Sequence, residues 1–149
     1  MRKNGYPLSL LYDNLGKIGA RSVTVAIDAC FSGSSHRGML ITAASLVAPY
    51  FSDSAVKLEK GAVFTSCSGS EISSWYQDGK HGLFTYFFLK GLQGAADRDR
   101  DGQISCGELH SYVSDRSDGV PYAARRLYGR RQTPQFVGDN ARIIRGKVQ

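Results

Sequence analysis

A chain of 149 residues, 42% hydrophobic and 21% charged, has the size and composition of one soluble domain that can bury a core. Its formal charge of +6 comes without a basic run interleaved with aromatics, so neither the charge nor its pattern marks a nucleic-acid partner. No apolar run approaches the ~20 residues of a membrane span and no signal peptide is visible, while three cysteines without metal-ligand spacing suit a reducing compartment; a cytoplasmic protein with no membrane partner is expected.

Leu8, Leu11, Leu15 and Ile18 recur at helical spacing and Gly19 follows as a C-cap, which predicts an amphipathic helix over residues 8–18 lying on a sheet. After a short link, Ser22 to Asp28 reads S-V-T-V-A-I-D, and its β-branched and small apolar residues predict a buried strand that stops at Asp28. Two residues later Cys30 stands where a Ser/Gly-rich loop begins. Catalytic residues of parallel α/β sheets collect at such strand ends, so Cys30 reads as a nucleophile, with a buried structural thiol as the alternative. Residues 32–60 lose periodicity and read mostly as loop.

Gly61 to Cys67, G-A-V-F-T-S-C, predicts a second buried strand, and Ser68 to Asp78 a polar loop. Leu83, Phe84, Phe87, Phe88 and Leu92 then recur at helical spacing between Gly82 and Gly94, a core-facing helix whose aromatics serve packing.

The most sharply spaced motif follows. Asp97, Asp99, Asp101, Gly102, Ile104 and Glu108 occupy positions 1, 3, 5, 6, 8 and 12 of an EF-hand calcium loop, and Gln103 stands at position 7, where a backbone carbonyl is the ligand. Alternating carboxylates on a tight loop, closed by a distant glutamate, supply the converging oxygens that Ca2+ requires. Against this, Gly91 and Gly94 interrupt the entering helix, Arg98 and Arg100 lie inside the loop, and no second EF-hand pairs with it. The alternative is that the carboxylates cap and solvate a helix start. In the tail, Pro134 restricts the segment after it to an edge or a strand start, and Ala141 to Ile144 adds a few extended residues. The basic cluster Arg125, Arg126, Arg130 and Arg131 reads as a solvated face or a partner contact.

Three stretches together resemble the caspase-like cysteine peptidases, and bacterial caspase-like proteins most. D-A-C-F-S-G around Cys30 is similar to the family's nucleophile motif; T-S-C-S-G-S-E-I-S-S-W-Y-Q-D-G-K-H-G-L-F-T-Y-F-F-L-K-G-L, from Thr65 to Leu92, to its small-subunit segment; and R-R-Q-T-P-Q-F-V-G to the segment before its last short strand. The resemblance runs from about Leu8 to Val137 and implies an α/β, three-layer sandwich that is incomplete here, with residues 1–60 holding the nucleophile strand and intersubunit-type loop and residues 61–149 the small-subunit-like part. It implies a cysteine endopeptidase acting on polypeptides, with Cys30 attacking the scissile carbonyl. Asp28 matches the carboxylate that lines the primary specificity pocket of metacaspases, which implies Arg or Lys before the cut bond. Ser74 and Trp75 match a Ser-Trp pair of pocket walls, and Tyr76 stands where caspases place an arginine for substrate aspartate. Bland roles exist for the same residues: a strand-end carboxylate for Asp28 and core packing for Trp75.

The departure is the catalytic histidine. The family places it in an H-G motif some tens of residues before the nucleophile, yet only 29 residues precede Cys30 and none is histidine. His36, His81 and His110 do not match that motif. The expectation is therefore a partial domain whose histidine comes from another polypeptide or an N-terminal extension, or else an inactive pseudopeptidase or calcium-responsive binding module. The face and edge of the Ser22 to Asp28 strand should be open, ready for the rest of the domain or a second copy.

Overall fold

The computed structural model describes residues 6–29, 34–35, 38–39, 61–68 and 71–145. Cys30, His36 and the loop expected over 40–60 lie outside these residues; within 32–39, the two-residue strands β2 (Ser34–Ser35) and β3 (Gly38–Met39) form an antiparallel pair.

Among the described residues the central sheet has three strands. β1 (Val23–Ile27) runs parallel to β4 (Gly61–Thr65), and β8 (Gln135–Val137) lies antiparallel on the other side of β4. The alternation of side chains decides what each face buries. Val23, Val25 and Ile27 share a face with Val63 and pack on α1 (Leu8–Gly16) through Leu8, Tyr12 and Leu15. Ala62 and Phe64 point the other way and join one core with α2 (Leu83–Lys90), α3 (Cys106–Val113) and α4 (Val120–Tyr128). The chain is thus α/β, with a mixed sheet and helices on both faces. Phe64 is the hub of the larger core: its ring centroid lies 5.3 Å from that of Phe88, edge-on, and 4.7 Å from that of Phe136.

Some expected boundaries move. α1 stops at Gly16, so Ile18 lies outside it and is 56% exposed, while Tyr12 takes the buried position. Gly91 does not break the second helix: its backbone is right-handed and the helix continues as a π-turn over Gly91–Ala95, ended by Gly94 at φ 125°. A Cβ at Gly91 would meet Leu109 Cδ1 at 2.5 Å, so this glycine is a point of close helix contact. α4 was not anticipated from hydrophobic spacing; Pro121 opens it and Gly129, left-handed at φ 62°, closes it, the usual Pro-first and Gly-last asymmetry.

Among the described residues β1 is an edge strand. Thr24 and Ala26 are exposed although their partners across the ladder, Ala62 and Phe64, are buried, so the layer of α2, α3 and α4 covers β4 and stops short of β1. Phe64→Ala should therefore cost about 3–5 kcal/mol in urea unfolding, whereas Thr24→Ala should stay within about 0.5 kcal/mol. A midpoint for Phe64→Ala close to the parent's would remove Phe64 from the centre of the core.

Candidate functional site

Chain direction gathers three segments at one end of the sheet. Asp28 follows β1 and Ser66 follows the parallel β4; β8 runs the opposite way, so the segment leading into it, 131–134, arrives at that same end. Such carboxyl ends of parallel strands are where α/β proteins place their ligands.

The Asp28 carboxylate is fixed there by neutral donors. The Ser73 hydroxyl donates to Oδ1 at 2.6 Å, and the Thr85 hydroxyl and backbone N–H donate to Oδ2 at 2.6 and 3.2 Å. Thr85 sits in the first turn of α2, where unsatisfied N–H groups favour a carboxylate. Gly82, in β6 (His81–Gly82), lets this happen, because a Cβ there would collide with Asp28 Oδ2. Asp28 stays exposed, and among the described residues no Lys, Arg or His lies within ion-pair distance of it.

Behind Asp28 a buried amide ties the segments together. Gln132, fully buried, donates from Nε2 to Ser66 O at 3.1 Å and Ser73 Oγ at 3.3 Å, and its Oε1 accepts from Ser74 N at 2.9 Å. Glu71 clamps the same region, accepting from Thr133 N at 2.6 Å and Thr133 Oγ1 at 3.0 Å. Ser74 is buried, its carbonyl accepts from Leu83 N at 2.7 Å, and its hydroxyl has no partner among the described residues. Trp75, in β5 (Trp75–Tyr76), is 52% exposed, so core packing does not account for its ring; its carbonyl accepts from the Tyr128 hydroxyl.

Of the two described cysteines, Cys67 is buried with its thiol donating to Glu71 O, and burial pushes the Cys106 thiol up; neither is an accessible thiolate. His81 is exposed and one residue from the Gly82 that touches Asp28. His110 is half-buried on α3 beside Phe136, where burial lowers its pKa against a backbone hydrogen bond at Pro134.

The 97–108 loop brings three of its named residues together. Ligand atoms of Asp97, Asp99 and Glu108 lie within 4.8 Å of one another. Gly102 makes the sharp turn at φ 80°, and its N–H donates to Asp97 Oδ2 at 3.1 Å, while Asp97 Oδ1 is buried without a hydrogen-bond partner among the described residues. Asp101 faces Gln103 instead, accepting from its N–H at 2.7 Å and its side-chain amide at 3.2 Å. Glu108 closes a capping box at the start of α3; the Ser105 N–H and hydroxyl hold its carboxyl below the usual range. Arg98 turns out of the loop to pair with Asp115 at 2.9 Å. Asp115 itself is lowered to about 2, first by the Ser117 hydroxyl and N–H and then by Arg98. Among the described residues no second EF-hand faces the loop; β7 (Ile104–Ser105) pairs with β9 (Ile143–Arg145).

Comparison with protein-family models, curated proteins and solved structures returns no match. The sequence had named Asp28, Ser74 and Trp75, and the fold brings them to one sheet end; Ser73, Thr85, Glu71 and Gln132 were missed, because a single polar residue in a loop carries no periodic signal.

Gly82→Ala should destabilise the protein by about 1–3 kcal/mol, since the new methyl displaces the carboxylate from its donors. In an Asp28→Ala background the same change should cost less than about 0.5 kcal/mol, a coupling that a double-mutant cycle measures directly. Equal costs in both backgrounds would dissociate Gly82 from Asp28.

Proposed function

We propose that this chain is part of a caspase-like cysteine endopeptidase domain, in which Cys30 is the nucleophile and Asp28 recognises Arg or Lys before the cut bond. The observation that carries this reading is the state of Asp28: a carboxylate two residues before the cysteine, fixed at the carboxyl end of β1 by Ser73 and Thr85, exposed, and without a cation among the described residues. A guanidinium or ammonium from a polypeptide substrate supplies the charge it lacks. Trp75, exposed at the same end, fits a pocket wall, and Ser74 places it. A three-layer caspase-like sandwich agrees with helices on both faces of the sheet. The general base is a histidine outside these 149 residues, brought by the remainder of the domain; the edge of β1, which no described strand pairs, suits that neighbour, or a second copy of the chain. A cytoplasmic setting keeps the thiol reduced; among the described residues no helix is long and apolar enough to cross a membrane.

Affinity labelling tests the reading without needing turnover. A peptidyl chloromethyl ketone ending in Arg should add its mass to Cys30, leave Cys30→Ala unlabelled, and react at least about 10-fold more slowly with Asp28→Asn, the size of one lost charge-assisted contact. Equal rates for Arg- and Asp-ended probes, or labelling that survives Cys30→Ala, would refute it.

A second reading, a calcium-responsive module, is favoured by the orphaned Asp97 Oδ1 among clustered carboxylates. The donor set fits a hard cation: Asp97, Asp99, Asp101, Glu108 and the Gln103 carbonyl would hold Ca2+, which would supply charge and order to the loop. Calorimetric titration should show saturable Ca2+ binding that raises the thermal midpoint and disappears in Asp97→Asn. No heat and an unchanged midpoint would end the calcium reading while leaving the peptidase one standing.

A further inference from the structure

Four arginines converge on one cleft although they come from three separate segments. Arg116 belongs to the link between α3 and α4, Arg125 to α4, and Arg130 and Arg131 to the chain beyond it; together with Tyr122 and Thr133 they line a space of about 380 Å³. The convergence depends on Gly129. Its left-handed backbone turns the chain back at the end of α4, with its N–H on Arg125 O at 3.0 Å, and so returns Arg130 and Arg131 to the side of Arg125.

The helix dipole accounts for arginine in the last turn of α4, but not for Arg116, Arg130 and Arg131, which lie off the helix. Intramolecular pairing does not account for them either. Among the described residues only Arg131 has a carboxylate nearby, Glu71 Oε1 at 3.7 Å; Arg116, Arg125 and Arg130 have none. Arg126, the remaining member of the sequence cluster, does not line the cleft: it leans over the Tyr122 ring and donates to its hydroxyl at 3.2 Å. Arg130 lies over the Tyr128 ring, 5.8 Å from its centroid, which restricts its guanidinium. Among the described residues no acidic one lines the cleft.

We propose that this cleft binds a small polyanion through a di- or triphosphate group. Three guanidinium groups without counter-charge repel one another, and a ligand with several negative charges in a small volume relieves that repulsion while using the planar fork of each arginine. The volume suits a small molecule. Tyr122 offers an aromatic wall beside the charges, and the Thr133 hydroxyl, already held by Glu71, marks the inner edge. This inference does not depend on the reading of Cys30 and Asp28, although Gln132 and Thr133, which line the cleft, also support the loop behind Asp28.

Isothermal titration of the whole chain with sodium tripolyphosphate at low salt tests the proposal. One saturable site is expected, weakening as salt rises, and at least about 10-fold weaker in the Arg125→Gln/Arg130→Gln double variant, the loss of one or two charge-assisted contacts. Arg21→Gln, a change at an exposed residue outside the cleft, should bind as the parent does, and matching thermal midpoints would show that the double variant is folded. A nucleoside triphosphate arm tells the source of the phosphates: equal affinity assigns a free phosphate chain, and a clear gain over tripolyphosphate assigns a nucleotide with its base against Tyr122. No saturable binding up to millimolar tripolyphosphate, affinity unmoved by the double variant, or a glutamate-rich peptide binding where tripolyphosphate does not would each overturn it.

Discussion

The structure depends on the two-sided burial of β4. Three of its five residues are divided between two cores, Val63 to the layer formed by α1 and Ala62 and Phe64 to the layer formed by α2, α3 and α4. A slip of one residue would send Phe64 toward α1 and Val63 into the larger core, so the register against β1 and β8 is set by side-chain volume as much as by the ladder. Everything at the carboxyl end follows from that register. With Val25 opposite Val63 and Thr65 opposite Gln135, the exits of β1 and β4 and the entry of β8 share one end. Asp28, Ser66 and Gln132 can then meet, although they are far apart in the chain.

Gln132 shows how such an end is held. A buried primary amide is costly unless its groups are satisfied, and here both Nε2 protons and Oε1 find partners on the segment after β4 and the loop before β5. The loop is thereby fixed from behind, and Ser73, bonded to both Gln132 and Asp28, passes that order to the carboxylate. The site's front is exposed and its back is buried. That division is what a recognition pocket needs: accessible charge on a rigid support.

What the sequence made legible follows its periodicity. β1, β4 and α2 could be read because burial imposes runs of β-branched residues or a helical stripe, and the 97–108 loop stood out because its acidic residues recur at fixed spacing. α4 escaped because its hydrophobic residues are few and diluted by arginines, and its only markers were Pro121 and Gly129. The spacing predicts a helix as far as Ile18, whereas α1 ends at Gly16, because nothing in the spacing says where packing ends. The partners of Asp28 were hidden for a different reason. Ser73 and Thr85 lie 45 and 57 residues away, and long-range polar pairs between loops leave no trace in local pattern.

The end of the described chain is threaded through two places at once. β9 supplies the ladder partner of β7 in the acidic loop, and Arg142, just before it, offers its carbonyl to Cys106 N at 2.8 Å while its guanidinium reaches Val23 O at 3.1 Å and Thr24 Oγ1 at 3.3 Å. The acidic loop is therefore anchored to the amino end of β1, not to the end that carries Asp28. Five residues of extended chain, roughly 17 Å, separate the two. Arg142 is thus a single rivet between the helix that follows the acidic loop and the edge strand, set at the end of β1 opposite Asp28.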